Sequence, residues 1–418
     1  MFSKPIRRYW TVVFTTVLAV TLVLAGCSKS APSSGPGSSG SESAAKSDKP
    51  VKIGVLLSFS GPWAPIAESL KQGMELYFSS IGNKLGNQPI EIKYEDDEGN
   101  PQVALRKYRQ LVDSEKSNIL VGPISTGVLL ALRDQVDKDK MILIDPNASA
   151  NDISWEQKSD YVYRTSVSNW QNSGSQAAYI AKNVGKKAIV IAPDYPGGYE
   201  NVAAFKSEFQ KAGGTVIKEI LPKLGTNDFG AYMTQISEAK PDLVFIFLPG
   251  SDGIAFIKQF KQFGLKDKIA LTGSTELGDV LITDAVGDAA EGSLSGVLYT
   301  STLDNEVNKK FVEAYQKKYN KLPNTFAVYG YDSAQVIAKA VEKAGSVKSE
   351  DLIKVLKGFE IDSPRGRIKI DPKTHNPIQN FYIVRNEMKD GRIVQKVLET
   401  VKDVAMPETN PNPAPAKK

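Results

Sequence analysis

Two short loops hold the residues best able to do chemistry. Gly122-Pro123-Ile124-Ser125-Thr126-Gly127 follows the apolar run Ile119 to Val121, and Asp145-Pro146-Asn147-Ala148-Ser149 follows Met141 to Ile144. Each places hydroxyls and backbone N–H groups where a strand gives way to the next element, and the start of a helix there attracts an anion. The same hydroxyls also suit helix capping, so Ser125, Thr126 and Ser149 stand equally as caps or as ligand donors. Nucleophilic and metal chemistry is poorly served. One Cys and one His leave a Cys/His zinc site without ligands. His375 lies in the turn Asp371-Pro372-Lys373-Thr374-His375-Asn376-Pro377, and no G-x-S-x-G elbow accompanies it. Glu95, Asp96, Asp97 and Glu98 read as a solvated turn that caps the next helix. No catalytic residue, metal or cofactor is expected.

The loops must be held by a sizeable body. A chain of 418 residues has room for two lobes. With 41% hydrophobic and 24% charged residues, it fits neither a multispanning membrane protein nor a fibrous one. Lys4, Arg7 and Arg8 precede the uncharged run Tyr9 to Gly26, which has the pattern of a signal peptide rather than a retained anchor. Without those three cations the 52 Lys and Arg fall to 49 against 47 Asp and Glu, a balance that gives nucleic-acid binding no support. Residues 28–50 contain nine Ser, three Gly and three Pro and cannot bury enough apolar surface to order themselves. They read as a tether of roughly 25 Å r.m.s. span. Residues 406–418 are Pro-rich and expected to be disordered, leaving a body of about 51–405.

Within the body, strand-length apolar runs alternate with segments of helical period, which predicts parallel sheets with crossover helices. Strands are expected at Val51 to Leu57, Ile90 to Tyr94, Ile119 to Val121, Met141 to Ile144, Ala188 to Ala192, Leu243 to Leu248 and Ile269 to Thr272. Helical spacing covers Gln72 to Ile81 and Gly253 to Phe263, and Asn100-Pro101 reads as a cap with Pro in the first turn. In such sheets ligands bind beyond the carboxyl ends of the strands, where the two polar loops lie.

Leu24-Ala25-Gly26-Cys27 resembles the bacterial lipobox. That resemblance implies that 1–26 is a lipoprotein signal peptide and that Cys27 becomes a lipid-bearing N-terminus, anchored to the membrane outside the cytoplasm. The body resembles the leucine/isoleucine/valine-binding family of ABC-transporter solute receptors. The likeness rests on Ser60-Gly61-Pro62, Tyr94-Glu95-Asp96-Asp97, Val121-Gly122-Pro123, Arg164-Thr165, Ala192-Pro193-Asp194-Tyr195, Tyr329-Gly330-Tyr331-Asp332 and Ser363-Pro364-Arg365-Gly366, in that order. It implies a type I periplasmic-binding-protein fold, α/β, with two doubly wound parallel-sheet lobes joined by three crossover strands. By analogy the crossings fall near Arg164–Ser168, Tyr299–Leu303 and Pro364–Ile368. One lobe is then about 51–166 with 302–364, and the other about 167–301 with 365–405.

The resemblance further implies a monomer that captures a small carboxylate and passes it to ABC permease subunits. It places the ligand-carboxylate site on Ser125, Thr126, Ala148 and Ser149, with Tyr195 closing the pocket from the other lobe. Trp63 and Trp170 are candidate aromatic walls, and Glu276 is the candidate partner of a ligand ammonium; core packing is the alternative for each Trp, and a solvated loop for Glu276. Where amino-acid receptors set aromatic groups against the ligand, this chain has Ile66 and Pro249, and several motifs look more like those of aromatic-acid receptors. A sensory module would need a link to a cytoplasmic partner, which a lipid anchor does not supply.

Overall fold

A computed structural model describes residues 49–411; the signal peptide, Cys27 and most of the tether lie outside it. The first sheet runs in the order Lys84–Leu85, Gln88–Asp96, Val51–Leu57, Ile119–Val121, Leu143–Asp145, Val162–Arg164, parallel throughout except for its outermost pair. Its central strands are continuous apolar runs because both faces are covered. Ile53, Val55 and Leu57 enter one core while Leu56 enters the core on the other face, the alternation that a strand imposes.

The second sheet is parallel from Thr215–Ile220 through Lys187–Ile191, Leu243–Ile246 and Ala270–Gly273 to Leu294–Val297. Beyond that strand it turns antiparallel, through Pro377–Lys389 and its hairpin partner Arg392–Val404. The second lobe thus has the expected parallel sheet, with an antiparallel hairpin added at one edge.

The chain passes between the sheets after Arg164 and again after Val297. Ile368 and Ile370, expected in the second lobe, pack in the first lobe's core with Phe381, whereas Ile393 packs in the second. The third passage therefore lies within Pro377–Lys389 rather than at Pro364–Ile368. Buried polar groups lace these passages. Arg365 Nε donates to Asp332 Oδ2 at 2.8 Å and its Nη2 donates to Thr165 O, while Gln379 Nε2 donates to Ser166 O at 2.7 Å.

The start of the tail is not free of the body. Met406 is buried, and Trp155 Nε1 donates to Pro407 O at 2.6 Å. Two helices, Ala64–Ser80 and Thr325–Ala344, meet backbone to backbone. A Cβ on Gly73 would fall 1.9 Å from Ala327 O, and one on Gly330 would fall 2.0 Å from Leu70 O. This close approach brings Phe326 and Tyr329 over the ends of the strands.

Candidate ligand-binding site

A cavity lies at the carboxyl ends of both sheets. The first lobe contributes Thr126 and Ser149 from the two polar loops, Trp63 and Ile66 from the loop and helix after Val51–Leu57, and Phe326 and Tyr329. From the second come Tyr195, Phe247, Pro249, Thr275 and Glu276, each following a strand. Asn169, Asn172 and Val167 line the cavity from the passage between the lobes. Its free space is about 30 Å³, room for one or two waters.

The rings form one wall. Tyr195 and Phe247 stack with centroids 6.5 Å apart, and Trp63 tilts against Tyr195 at 6.2 Å. Trp63 is propped from behind, because a Cβ on Gly99 would fall 2.3 Å from its ring. The turn before Gly99 is tied down by Asp97, which accepts from Ser58 Oγ at 2.5 Å and from Gly99 N–H at 2.8 Å. Asp97 is wholly buried and burial raises its pKa, so this part of the expected solvated turn is a buried brace. Asn100 does cap the next helix, accepting from Gln102 and Val103 N–H.

The opposite wall is polar but carries no Lys or Arg among its lining residues. Ser125 stands at the N-cap of helix Thr126–Asp139, yet its side chain caps nothing, which leaves that helix start to other acceptors. Thr126 Oγ1 accepts from Asn169 Nδ2 at 3.2 Å. Ser149 Oγ donates to Asn147 O, and its own carbonyl accepts from Asn169 N–H. Glu276 is a wall residue rather than a solvated loop acid. It accepts from Ser274 Oγ and, at 3.5 Å, from Asn172 Nδ2, and burial pushes its carboxyl upward. Tyr329 is buried in the wall with no partner for its hydroxyl.

Of the residues expected here, Thr126, Ser149, Tyr195, Trp63 and Glu276 come together. Ser125 and Ala148 are buried outside the lining, and the Ala148 N–H is spent on Pro123 O. Trp170 is also outside; with Trp155 and Tyr199 it lines a separate hollow of about 200 Å³. Asn169, Asn172, Phe247, Phe326 and Tyr329 were not anticipated from the sequence. Phe247 follows an apolar strand into the turn with Pro249, so it alone carried a usable positional signal. His375 takes no part. It stacks on Tyr163 at 4.3 Å, and burial holds its pKa down to about 4.

Two glycines let the lobes meet around the cavity. A Cβ on Gly197 would fall 2.9 Å from Thr126 Oγ1, and one on Gly250 would fall 2.3 Å from Pro62 O. Glu200 adds a polar tie: its Oε2 accepts from Asn151 N–H and from Asn169 Nδ2, both at 2.8 Å. Burial raises Glu200 from 4.5 to about 7, with Asp152 adding to the rise and Arg164 opposing it. Because the folded protein favours the protonated form, the stability from this group is complete below 4.5 and is lost as pH climbs to about 7. Glu200→Gln should therefore gain on the wild type by about 1–3 kcal/mol more at pH 8 than at pH 5. Calorimetric melting at both pH values checks this, and an equal offset at the two would contradict it.

Comparison with known proteins fits this geometry. The sequence pattern of the family described as periplasmic binding protein matches residues 50–392. Leu/Ile/Val-binding protein homolog 6 of Brucella melitensis biotype 1 is 34% identical over 359 residues, 84% of this chain and 91% of that protein. A solute-binding protein of an ABC transporter from R. palustris, solved with benzoate, is 34% identical with a TM-score of 0.80, covering 85% of this chain and 98% of its own. Another, from Rhodopseudomonas palustris BisB5 with 3,4-dihydroxybenzoic acid, is 31% identical with a TM-score of 0.82, covering 86% and 99%.

Proposed function

The chain belongs to the periplasmic binding protein family, and we propose that it captures an aromatic carboxylate between its lobes and delivers it to an ABC permease. It is an extracytoplasmic substrate-binding protein for small ligands, not an enzyme. No helix among the described residues is long and apolar enough to cross a membrane. The observation that carries the ligand reading is the cavity itself: stacked rings on one side, and on the other the Thr126 hydroxyl at a helix start that no side chain caps. A planar acid matches that division, its ring on Trp63 and Tyr195 and its carboxylate at the start of helix Thr126–Asp139. Closure follows a hinge through the crossing strands, with Gly197 and Gly250 as the meeting points.

Mass spectrometry of the small molecule released on denaturing the purified protein tests this reading. An aromatic acid is expected, and a branched-chain amino acid would replace it. That second reading has its own support in Glu276 on the wall, an acceptor suited to an ammonium. For anchoring, we propose diacylglycerol on the Cys27 sulfur. Intact mass of the membrane-extracted protein should carry that lipid and lose it in Cys27→Ser; equal masses apart from the side-chain change would rule the anchor out.

A further inference from the structure

The hollow that Trp170 lines, apart from the ligand cavity, is walled by rings and acids. Trp155 comes from the first lobe, Tyr199 from helix Pro196–Lys211 of the second, and Trp170 from the short helix Asn169–Gly174. Two of these rings are tied by their polar atoms. Trp155 Nε1 donates to Pro407 O at 2.6 Å and the Tyr199 hydroxyl donates to Asp194 Oδ1, so what both offer the hollow is ring surface. Ala203 and Ala204 are too small to fill the space between. It amounts to about 200 Å³ against about 30 Å³ in the cavity, room for several non-hydrogen atoms.

Asp152 and Glu200 line the same hollow, and no Lys or Arg does. Glu200 Oε2 is spent on Asn151 N–H and Asn169 Nδ2, while its Oε1 accepts from nothing among the described residues. Arg164, which pulls on Glu200, is already paired with Asp145 at 3.1 Å. Asp152 has Glu156 beside it and in turn presses on Glu200, so like charges crowd both lining acids. A bare metal ion is not served here: among the described residues no group of three His, Cys, Asp or Glu could hold one. A methylated ammonium is, because it binds through ring faces and nearby negative charge and needs no hydrogen-bond acceptor for its methyl groups.

We propose that this hollow is a second binding site, taking a small quaternary or otherwise methylated ammonium, with its methyl groups on Trp155, Trp170 and Tyr199 and its charge against Asp152 and Glu200. The site is separate from the ligand cavity and does not rest on the aromatic-acid reading. Its walls come from both lobes, so an occupant ties them together. Calorimetric titration of the purified protein with choline, at pH 8 and low salt, tests the proposal. Two controls divide its chemistry: 3,3-dimethylbutan-1-ol has the shape of choline without the charge, and ammonium chloride has the charge without the methyl groups. Choline should bind with a Kd of about 1 mM or tighter, and each control about tenfold more weakly or worse.

Tyr199→Leu and Glu200→Gln should each weaken choline by about fivefold or more, whereas Glu276→Gln, in the ligand cavity, should leave it within about twofold. Tyr199 is 48% exposed and glutamine keeps the shape of Glu200, so circular dichroism should find both variants folded; either alone decides if the other is not. No binding of choline to the wild type, equal binding of the neutral analogue, or unchanged choline affinity in a folded variant of Tyr199 or Glu200 would overturn the proposal. So would loss of choline binding in Glu276→Gln, which would put the ammonium in the ligand cavity. Titration of the same samples with benzoate reports on that cavity alone, so the two readings fail separately.

Discussion

Arg164→Leu should destabilise the protein by about 3–5 kcal/mol at pH 8, the usual cost of breaking a buried ion pair from one side. Arg164 is 2% exposed and makes five hydrogen bonds. Its Nε reaches Asp145 Oδ2 at 3.1 Å and Ala148 O at 3.2 Å, Nη2 reaches Ala150 O at 2.7 Å, and Nη1 reaches Asn376 Oδ1 at 2.8 Å. Leucine would strand the Asp145 carboxylate and two loop carbonyls in a dry interior, each an unpaired group with its full desolvation cost. Those carbonyls belong to the loop that carries Ser149 to the cavity, so ligand affinity should fall with stability. Burial already pushes Asp145 up to about 7 against the pull of Arg164. Without the guanidinium it rises further and takes a proton, so the deficit should shrink at pH 5. Urea unfolding at both pH values measures this. A loss below about 1 kcal/mol at pH 8 would show that the loop does not depend on this clamp.

Arg164 also shows where sequence reading stops. The strand Val162–Arg164 is three residues long and ends in a charged side chain, so neither length nor apolarity marks it, although it completes the first sheet. The longer strands were legible because burial on both faces makes them continuous apolar runs. At the far end, the hairpin Pro377–Lys389 with Arg392–Val404 is half exposed and charged, which hides its period. Its turn was legible in principle: Asp390 and Gly391 have φ of 53° and 80°, and Asp-Gly between strands favours that geometry.

The same limit applies within the site. The loops holding Thr126 and Ser149 could be found because they follow strands. Asn169 and Trp170 are neighbours in the short helix Asn169–Gly174, where successive side chains diverge by about 100°. Asn169 faces the cavity and Trp170 the outer hollow, a choice that depends on how the helix docks rather than on residue type. Phe326 and Tyr329 are equally hidden. They reach the cavity only because Gly73 and Gly330 let two helices, far apart in the chain, touch through their backbones.

Benzoate and hydroxybenzoates should raise the melting temperature by about 5 °C at a hundredfold excess over Kd, with leucine, isoleucine and valine giving less at equal concentration. The distinction turns on Glu276. An amino acid brings an ammonium, and leaving that cation buried without an acceptor costs several kcal/mol. Ile66 and Pro249 offer no side-chain acceptor, and Glu276 is the one carboxylate among the lining residues. Yet its carboxyl already takes hydrogen bonds from Ser274 and Asn172, and burial raises its pKa, so an ammonium would have to share it with those donors and offset the cost of burying its charge. An aromatic acid asks nothing of Glu276 as a charge. Its ring gains about 0.5–1.5 kcal/mol beyond area burial from an aromatic neighbour such as Trp63 or Tyr195. Glu276→Gln separates the alternatives: aromatic acids should keep their affinity within a few-fold, because no ion pair is lost, whereas an amino-acid ligand would lose its one charged partner. Thermal shifts from leucine, isoleucine and valine alone, abolished by Glu276→Gln, would reject the aromatic assignment.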